Sequence, residues 1–446
     1  MNIYISVIPL TRYIMYINFS HIVLMNILLV GCTGFLGKSL IHYLITHTRH
    51  NIILVLRPKH SLSIDERLQD ILNEMDITNV ERIKLINVCY DEMRNIEISD
   101  KGRKYIEENV DILINALADV KFNRPLKKAV LNNTVTALNW MKLFQGCLHP
   151  KKYIYVSSAF VNFHITNDGI LEEKIYEKTM SIQTLEDVLD GKKRSMHPYH
   201  NSYLFSKQLA EILLFRKRKS LSLSIFRPSV LSPAIQYPYC GWTSMQSLNY
   251  IFFGMATGTI PCWNISRDDV FDNNINIIPV DVAARDCISM LSEDETFAIR
   301  HSCFTGNNPH CISYFNVYTY LLEAYAYYKK NPITINNKTY TPFFPFFVRD
   351  HNILYICVLL IHFLVNRTMT RQSILQLLKT LKVTYKLTKS CNTYLPHFVS
   401  KKVIFRRSRE DKWFNKKYPQ ANSYKKLIEE MDFIIKNDLD LIKLFR

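Results

Sequence analysis

Ten cysteines are scattered through 446 residues without a single CxxC pair, and no His/Cys spacing suits a structural zinc site. A disulfide scaffold and a zinc module are therefore excluded; reduced, mostly buried thiols are the simplest account. Glycine (11) and proline (16) are too scarce for a fibrous or low-complexity chain. Long runs of one charge are missing as well, the basic clusters being as short as Lys192-Lys193-Arg194 and Arg406-Arg407. Nor is there a clear membrane span. Met1–Leu24 is apolar but broken by Arg12, Asn18 and His21 and has no small-residue cleavage site, which makes it a poor signal peptide and a poor transmembrane helix. The compact apolar run Ile353–Val365, interrupted by His362, covers as a helix only about 20 Å of a hydrocarbon core of roughly 30 Å. It reads as a core helix, with an interfacial membrane contact beside Arg367 and Arg371 as the competing reading.

What is present is a chain able to bury one large core or two: 48% hydrophobic and 21% charged residues. The 56 Lys and Arg exceed 39 Asp and Glu, for a net charge of +17. That excess suits anionic partners in general, but a solvated lysine-rich surface explains it more simply than nucleic-acid binding. From Asn26 short apolar runs alternate with longer amphipathic stretches. Strands are expected at Ile27–Val30, Ile52–Leu56, Ile83–Val88, Asp111–Ala116, Tyr153–Ser157 and Leu223–Phe226. Helices are expected at Leu36–Thr46, Ile64–Glu74, Asp100–Glu108, Pro125–Gln145, Tyr203–Lys219 and Val282–Ser292. This rhythm predicts an α/β fold, a doubly wound parallel sheet of the Rossmann type over about residues 26 to 230. From Asn308 onward the chain reads as largely helical. The expected division is an extension at 1–24, a nucleotide-binding domain at 25–305 that includes substrate-site segments, and a helical domain at 306–446.

The first chemical signal is Gly31-Cys32-Thr33-Gly34-Phe35-Leu36-Gly37, placed between the first strand and first helix. Glycines there permit a tight turn, close approach of a pyrophosphate, and helix–strand packing, while the helix N-terminus attracts the phosphates. Gly31, Thr33, Gly34, Phe35, Leu36 and Gly37 are thus candidate cofactor-binding residues, and GxxGxxG spacing points to the short-chain dehydrogenase/reductase group. The second strand ends in Arg57-Pro58-Lys59 with no carboxylate nearby. A cation at this place suits a 2′-phosphate, so NADPH is expected with Arg57 as its partner.

The second signal is Tyr203-Leu204-Phe205-Ser206-Lys207. Residues four apart share a helix face, so the ammonium is expected to lower the phenol's pKa and to reach the nicotinamide ribose. Ser158, at the end of the fifth strand, can bond a substrate carbonyl and Tyr203; Ser157 competes, and only one can serve because consecutive strand residues face opposite ways. No metal site is expected.

These phrases together resemble the alcohol-forming fatty acyl-CoA reductases, extended short-chain reductases with a C-terminal male-sterility-like helical domain. The resemblance rests on Val30–Lys38, Leu56-Arg57-Pro58-Lys59, Val156–Asn162, Glu172–Tyr176, Asn201–Glu211, Phe226-Arg227-Pro228-Ser229-Val230, Pro238–Trp242 and Ile278–Asp281, in the family's order over about residues 25 to 440. It implies NADPH-dependent reduction of a long-chain acyl-CoA to a primary alcohol through an aldehyde. Ser158 and Tyr203 would polarise the thioester carbonyl, Lys207 would position the ribose, Asn133 and Pro228 would join the cofactor site, and residues 236–264 would shape the acyl and CoA site. It further implies association with a membrane surface, at the endoplasmic reticulum or peroxisome, with the active site facing the cytosol. A homodimer is compatible with the sequence, and no nucleic-acid partner is expected. The chain departs from the family at Asn115–Phe122, where Leu117 replaces a small residue, at Thr136, which replaces a glycine, and at Ser158, which replaces a threonine. It also stops at Arg446, within a region where the family continues. A sterol or nucleotide-sugar reductase, and a cofactor-binding scaffold without catalysis, are the alternative readings.

Overall fold

The computed structural model describes residues 24–304 apart from 60–61, 167, 177–179, 245–261 and 264–273, with short stretches between 312 and 347 and residues 402–406. Seven strands form one sheet: β1 (Asn26–Val30), β2 (Asn51–Leu56), β3 (Ile83–Asn87), β4 (Ile112–Asn115), β5 (Lys152–Val156), β6 (Ser222–Pro228) and β7 (Phe297–Ser302). Their order is β7-β6-β5-β4-β1-β2-β3, and every neighbouring pair is parallel. The order reverses between β1 and β4, which opens a crevice at the carboxyl ends of those two strands.

Helices cover both faces, as a parallel sheet requires. They are α1 (Phe35–His47), α2 (Ile64–Glu74), α3 (Asp100–Asn109), α4 (Leu126–Val130), α5 (Thr136–Phe144), α6 (Ile182–Leu189), α7 (Ser202–Lys217) and α8 (Val280–Ser289). The two-residue alternation of strand side chains divides the core. Ile27 and Leu29 pack with Leu40, Ile41, Leu72 and Ala283 from α1, α2 and α8. Leu28 and Val30 pack with Ile106, Trp140 and Leu214 from α3, α5 and α7. Local signals set the helix starts: Ser63 and Glu66 form a reciprocal capping box on α2, Ser99 caps α3, and the Asn201 side chain accepts from Leu204 N at 2.9 Å to cap α7.

Two expectations need correction. The stretch Pro125–Gln145 is interrupted by a π-helical turn, Leu131–Val135, between α4 and α5. The sheet also extends past residue 230. β7 carries Arg300, His301 and Ser302, so its sequence does not read as a buried strand; pairing with β6 and polar partners elsewhere make it one. One partner is Glu173, whose carboxylate accepts from His301 N at 2.7 Å.

Most of the C-terminal third, including Ile353–Val365, lies outside the described residues. The described part contains strands, among them Lys402–Phe405, paired in parallel with Asp168–Leu171. Among the described residues no helix is long and apolar enough to cross a membrane, and no cluster of side chains has the makings of a metal site.

Candidate active site

The crevice is built first by the turn after β1. Gly31 has φ +87°, and a Cβ there would stand 2.5 Å from Leu117 N and 2.6 Å from the Ala116 carbonyl carbon, at the end of β4. At Gly37 a Cβ would meet Gly31 O at 2.1 Å. Both glycines are demanded by the protein's own packing. Gly34 is different: its Cβ would meet nothing nearer than Gly31 O at 3.4 Å, an ordinary contact. The room beside it is room for a ligand, which is what a dinucleotide's pyrophosphate needs. α1 starts at Phe35 with no side-chain cap and no acidic residue in its first turn, leaving its positive end open to an anion. Thr33 is exposed on the crest of the turn, whereas Phe35 and Leu36 are buried. The last two can reach a dinucleotide only through backbone N–H groups; the Phe35 ring lies 5.0 Å from Trp242.

Arg57 is exposed at the end of β2, and its carbonyl accepts from the Arg67 guanidinium on α2. Burial lowers the pKa of Arg67, and Arg57 repels it further, so two cations share this corner. Sequence reasoning missed Arg67; its signal was a position ten residues beyond Arg57, in the second turn of the helix following the strand.

On the other side of the crevice, Ser158 caps the short 3-10 turn Ala159–Asn162, accepting from Phe160 N at 3.3 Å, and its side chain stands close enough to the Tyr203 phenol to lower its pKa. Of the two serines, it is Ser158 that lies beside Tyr203. Ser157 donates its N–H to Phe226 O at 2.7 Å, and its buried hydroxyl has no hydrogen-bond partner among the described residues. Lys207, 1% exposed, donates from Nζ to Val156 O at 2.7 Å and lies 4.6 Å from the centre of the Tyr155 ring.

The expected lowering of the Tyr203 pKa does not occur. Burial pushes the phenol up, and the neighbouring Ser158 side chain only partly offsets it. The same burial pushes Lys207 down, from 10.5 to about 7, against the pull of Glu211. Removing either charged form from water outweighs the attraction between them.

Asn133 lies in the π-helical turn and is consumed by the protein. Its Oδ1 accepts from Asp119 N at 2.8 Å, while its Nδ2 donates to Asp119 O at 3.1 Å and Ser206 Oγ at 2.9 Å. It braces the loop after β4 against the helix that carries Tyr203 and Lys207. The departing Asp119 is itself held, its carboxylate accepting from Arg124 Nε at 2.7 Å and Asn132 Nδ2 at 2.8 Å. Pro228 is buried at the end of β6 in register with Ser302.

Of the stretch 236–264, residues up to 244 and the pair 262–263 are described. Its start is fixed by Asp281, buried at the head of α8, whose carboxylate accepts the backbone N–H groups of Ile235, Gln236 and Tyr237. Trp242 bonds Glu74 through Nε1 at 3.2 Å, which joins this stretch to α2 beside the glycine turn.

A family model described as male sterility protein matches residues 29–287, more than half of the chain. The fatty acyl-CoA reductase wat of Drosophila melanogaster is 27% identical over 284 residues, covering 60% of this chain and 53% of that protein. Fatty acyl-CoA reductase 1 of Mus musculus is 26% identical over 277 residues, covering 58% and 52%, and its namesake in Arabidopsis thaliana is 25% identical over 329 residues, covering 63% and 64%. The chain thus matches about half the length of the first two relatives. Among solved structures, the terminal R domain of the myxalamid PKS-NRPS pathway superposes with TM-score 0.62 at 16% identity, covering 92% of both chains. The R domain of a nonribosomal peptide synthetase from Mycobacterium tuberculosis gives TM-score 0.55 at 14% identity, again with 92% of both covered. At these identities the structural likeness shows the fold alone.

Proposed function

The chain belongs to the male sterility protein family, and from that premise we propose that it is an NADPH-dependent fatty acyl-CoA reductase that converts a long-chain acyl-CoA to a primary alcohol through an aldehyde. The observation that carries this reading is the meeting of Ser158, Tyr203 and Lys207 on one side of the crevice, opposite a glycine turn with room only at Gly34.

The amides that open α1 and the space at Gly34 would hold the pyrophosphate; Arg57 and Arg67 would hold a 2′-phosphate. Lys207 would bond the nicotinamide ribose. NADPH bound there would supply one hydride to the acyl carbon in each of the two reductions, two NADPH being consumed per alcohol. The protein's part is to orient and to stabilise charge. Ser158 and Tyr203 would direct hydrogen bonds at the thioester oxygen as negative charge grows there, which favours hydride addition; the oxyanion would then re-form the carbonyl as the C–S bond breaks and the CoA thiolate leaves. In the second reduction Tyr203, kept protonated by its raised pKa, would give its proton to the alcohol oxygen. Residues 25–305 would form the reductase unit and 306–446 a helical domain. We place the protein at a membrane surface, that of the endoplasmic reticulum or peroxisome, with the site on the cytosolic side.

The test is purified protein incubated with NADPH and palmitoyl- or stearoyl-CoA, following cofactor oxidation and the alcohol by mass spectrometry. Oxidation with matching alcohol is expected. Absence of both with every long-chain acyl-CoA would sink the reading.

A further inference from the structure

Tyr203, Lys207 and Glu211 recur every four residues along α7 and so share one face of the helix. Glu211 has no part in the chemistry above, yet it is fully buried together with Arg227 from β6. The pair is bidentate: Arg227 Nε meets Glu211 Oε1 at 3.0 Å and Nη2 meets Oε2 at 2.6 Å. The third arm of Arg227, Nη1, donates to Lys174 O at 3.1 Å, so the guanidinium is clamped on both sides. A buried ion pair of this kind is poor evidence for stability, because apolar residues of similar volume often fill such a site as well or better. Its place one turn behind Lys207 calls for another explanation.

Resting on the reductase reading, we propose that Glu211, locked in place by Arg227, is a positioning residue for Lys207, setting the field in which its amino group meets the Val156 carbonyl at the carboxyl end of β5. Among the described residues, Lys207 Nζ has one hydrogen-bond partner, the Val156 carbonyl, and lies over the Tyr155 ring. Tyr155 of β5 lies against it and Glu211 of α7 acts on it directly; Tyr153 stands behind Tyr155, Tyr203 one turn before Lys207 on α7, and Arg227 of β6 against Glu211. The phenols are pushed up by burial and stay neutral at pH 7, so Glu211 is the one anion of this set. Burial drives Lys207 toward its neutral form, and Glu211 opposes it. Arg227 restrains that pull by sharing the same carboxylate. The two halves of the ion pair are therefore expected to act on Lys207 with opposite signs.

The test titrates Lys207 directly in the full chain by NMR of isotope-labelled lysine side chains, the signal being assigned by its loss in Lys207→Met. Glu211→Gln keeps the shape and removes the anion; it should lower the pH at which Lys207 loses its proton by about one unit, a tenfold change in the ratio of charged to neutral form. Arg227→Gln should raise that pH, and the double variant should return it close to wild type. Melting curves establish that each variant is folded, and if one single variant does not fold, the other and the double still give signed outcomes. Unmoved titrations, shifts of the same sign, or loss of folding in all three variants would overturn the proposal and leave the pair structural. No acyl-CoA is present in the measurement, so failure of the reductase assay and failure of this titration are separate results.

Discussion

At Tyr203 and Lys207 burial works against charge on both partners, raising the phenol and bringing the ammonium down to about 7. Two consequences are measurable. Tyr203→Phe keeps the ring and its packing 5.9 Å from Phe122 but removes the hydroxyl. Alcohol formation should fall by about 10²- to 10⁴-fold, with NADPH affinity, read by fluorescence titration, left within a factor of about two. Equal alcohol output would remove Tyr203 from the chemistry. Lys207 also makes stability depend on pH. Its folded pKa is depressed, so between about 7 and 10.5 the unfolded chain holds more protons than the folded one. The lysine's contribution is therefore most favourable above the unfolded value and is lost as pH falls through about 7. Melting curves of wild type and Lys207→Met should diverge across that window, with the variant gaining relative stability as pH falls; parallel curves would contradict the shift.

At the scale of elements, the turn from β1 into α1 assigns separate duties to glycines that look equivalent in sequence. Gly34→Ala adds a methyl where the nearest atom is 3.4 Å away and φ is −77°. Its melting temperature should stay near wild type, while NADPH affinity should drop about tenfold or more as the methyl occupies the pyrophosphate's space. Gly37→Ala forces a methyl to 2.1 Å from Gly31 O. Backbone must move there, and a loss of about 3 kcal/mol or more in denaturant unfolding is expected. If the two variants behaved alike, the division of roles would be wrong. Helix α7 shows the same layering: Asn201 caps its start, Tyr203 and Lys207 project from its first turns, and Asn133 grips it through Ser206 from the π-helical turn. Irregular turns of this kind recur at functional sites because they re-aim one side chain without breaking the helix.

For the whole molecule, the short strand Lys402–Phe405 ties a distant part of the chain to the wall behind Ser158. Phe405 is buried, with its ring 5.4 Å from Phe160 and 6.3 Å from Phe163, both next to the turn that Ser158 caps. Arg406 adds a contact to Glu172 at 3.2 Å, and His301 Nδ1 lies 2.8 Å from Arg406 O. Phe405→Ala should destabilise the reductase unit by about 3–5 kcal/mol, measured by urea unfolding of the full chain. A loss under about 1 kcal/mol would mean that this strand leans on the domain without supporting it. The phrase Glu172-Glu173-Lys174 acquires a purpose in this setting: Glu172 meets Arg406, Glu173 meets β7, and Lys174 O meets Arg227.

The sequence by itself determined whatever depends on neighbours a few residues away. Glycine spacing after an apolar strand, serine and asparagine caps, and the Tyr203–Lys207 interval are local facts, and the first six strands and most of the helices around them follow from short-range periodicity, α6 and the break between α4 and α5 excepted. Only the tertiary structure decided which of Ser157 and Ser158 faces Tyr203, that Asn133 is occupied by Asp119 and Ser206, that Arg67 joins Arg57, that β7 completes the sheet, and that Glu211 stands against Arg227. The direction of the Tyr203 pKa belongs with these. Proximity of a cation can be read from an interval of four, but the burial that outweighs it is produced by segments far apart in the chain closing over the same few atoms.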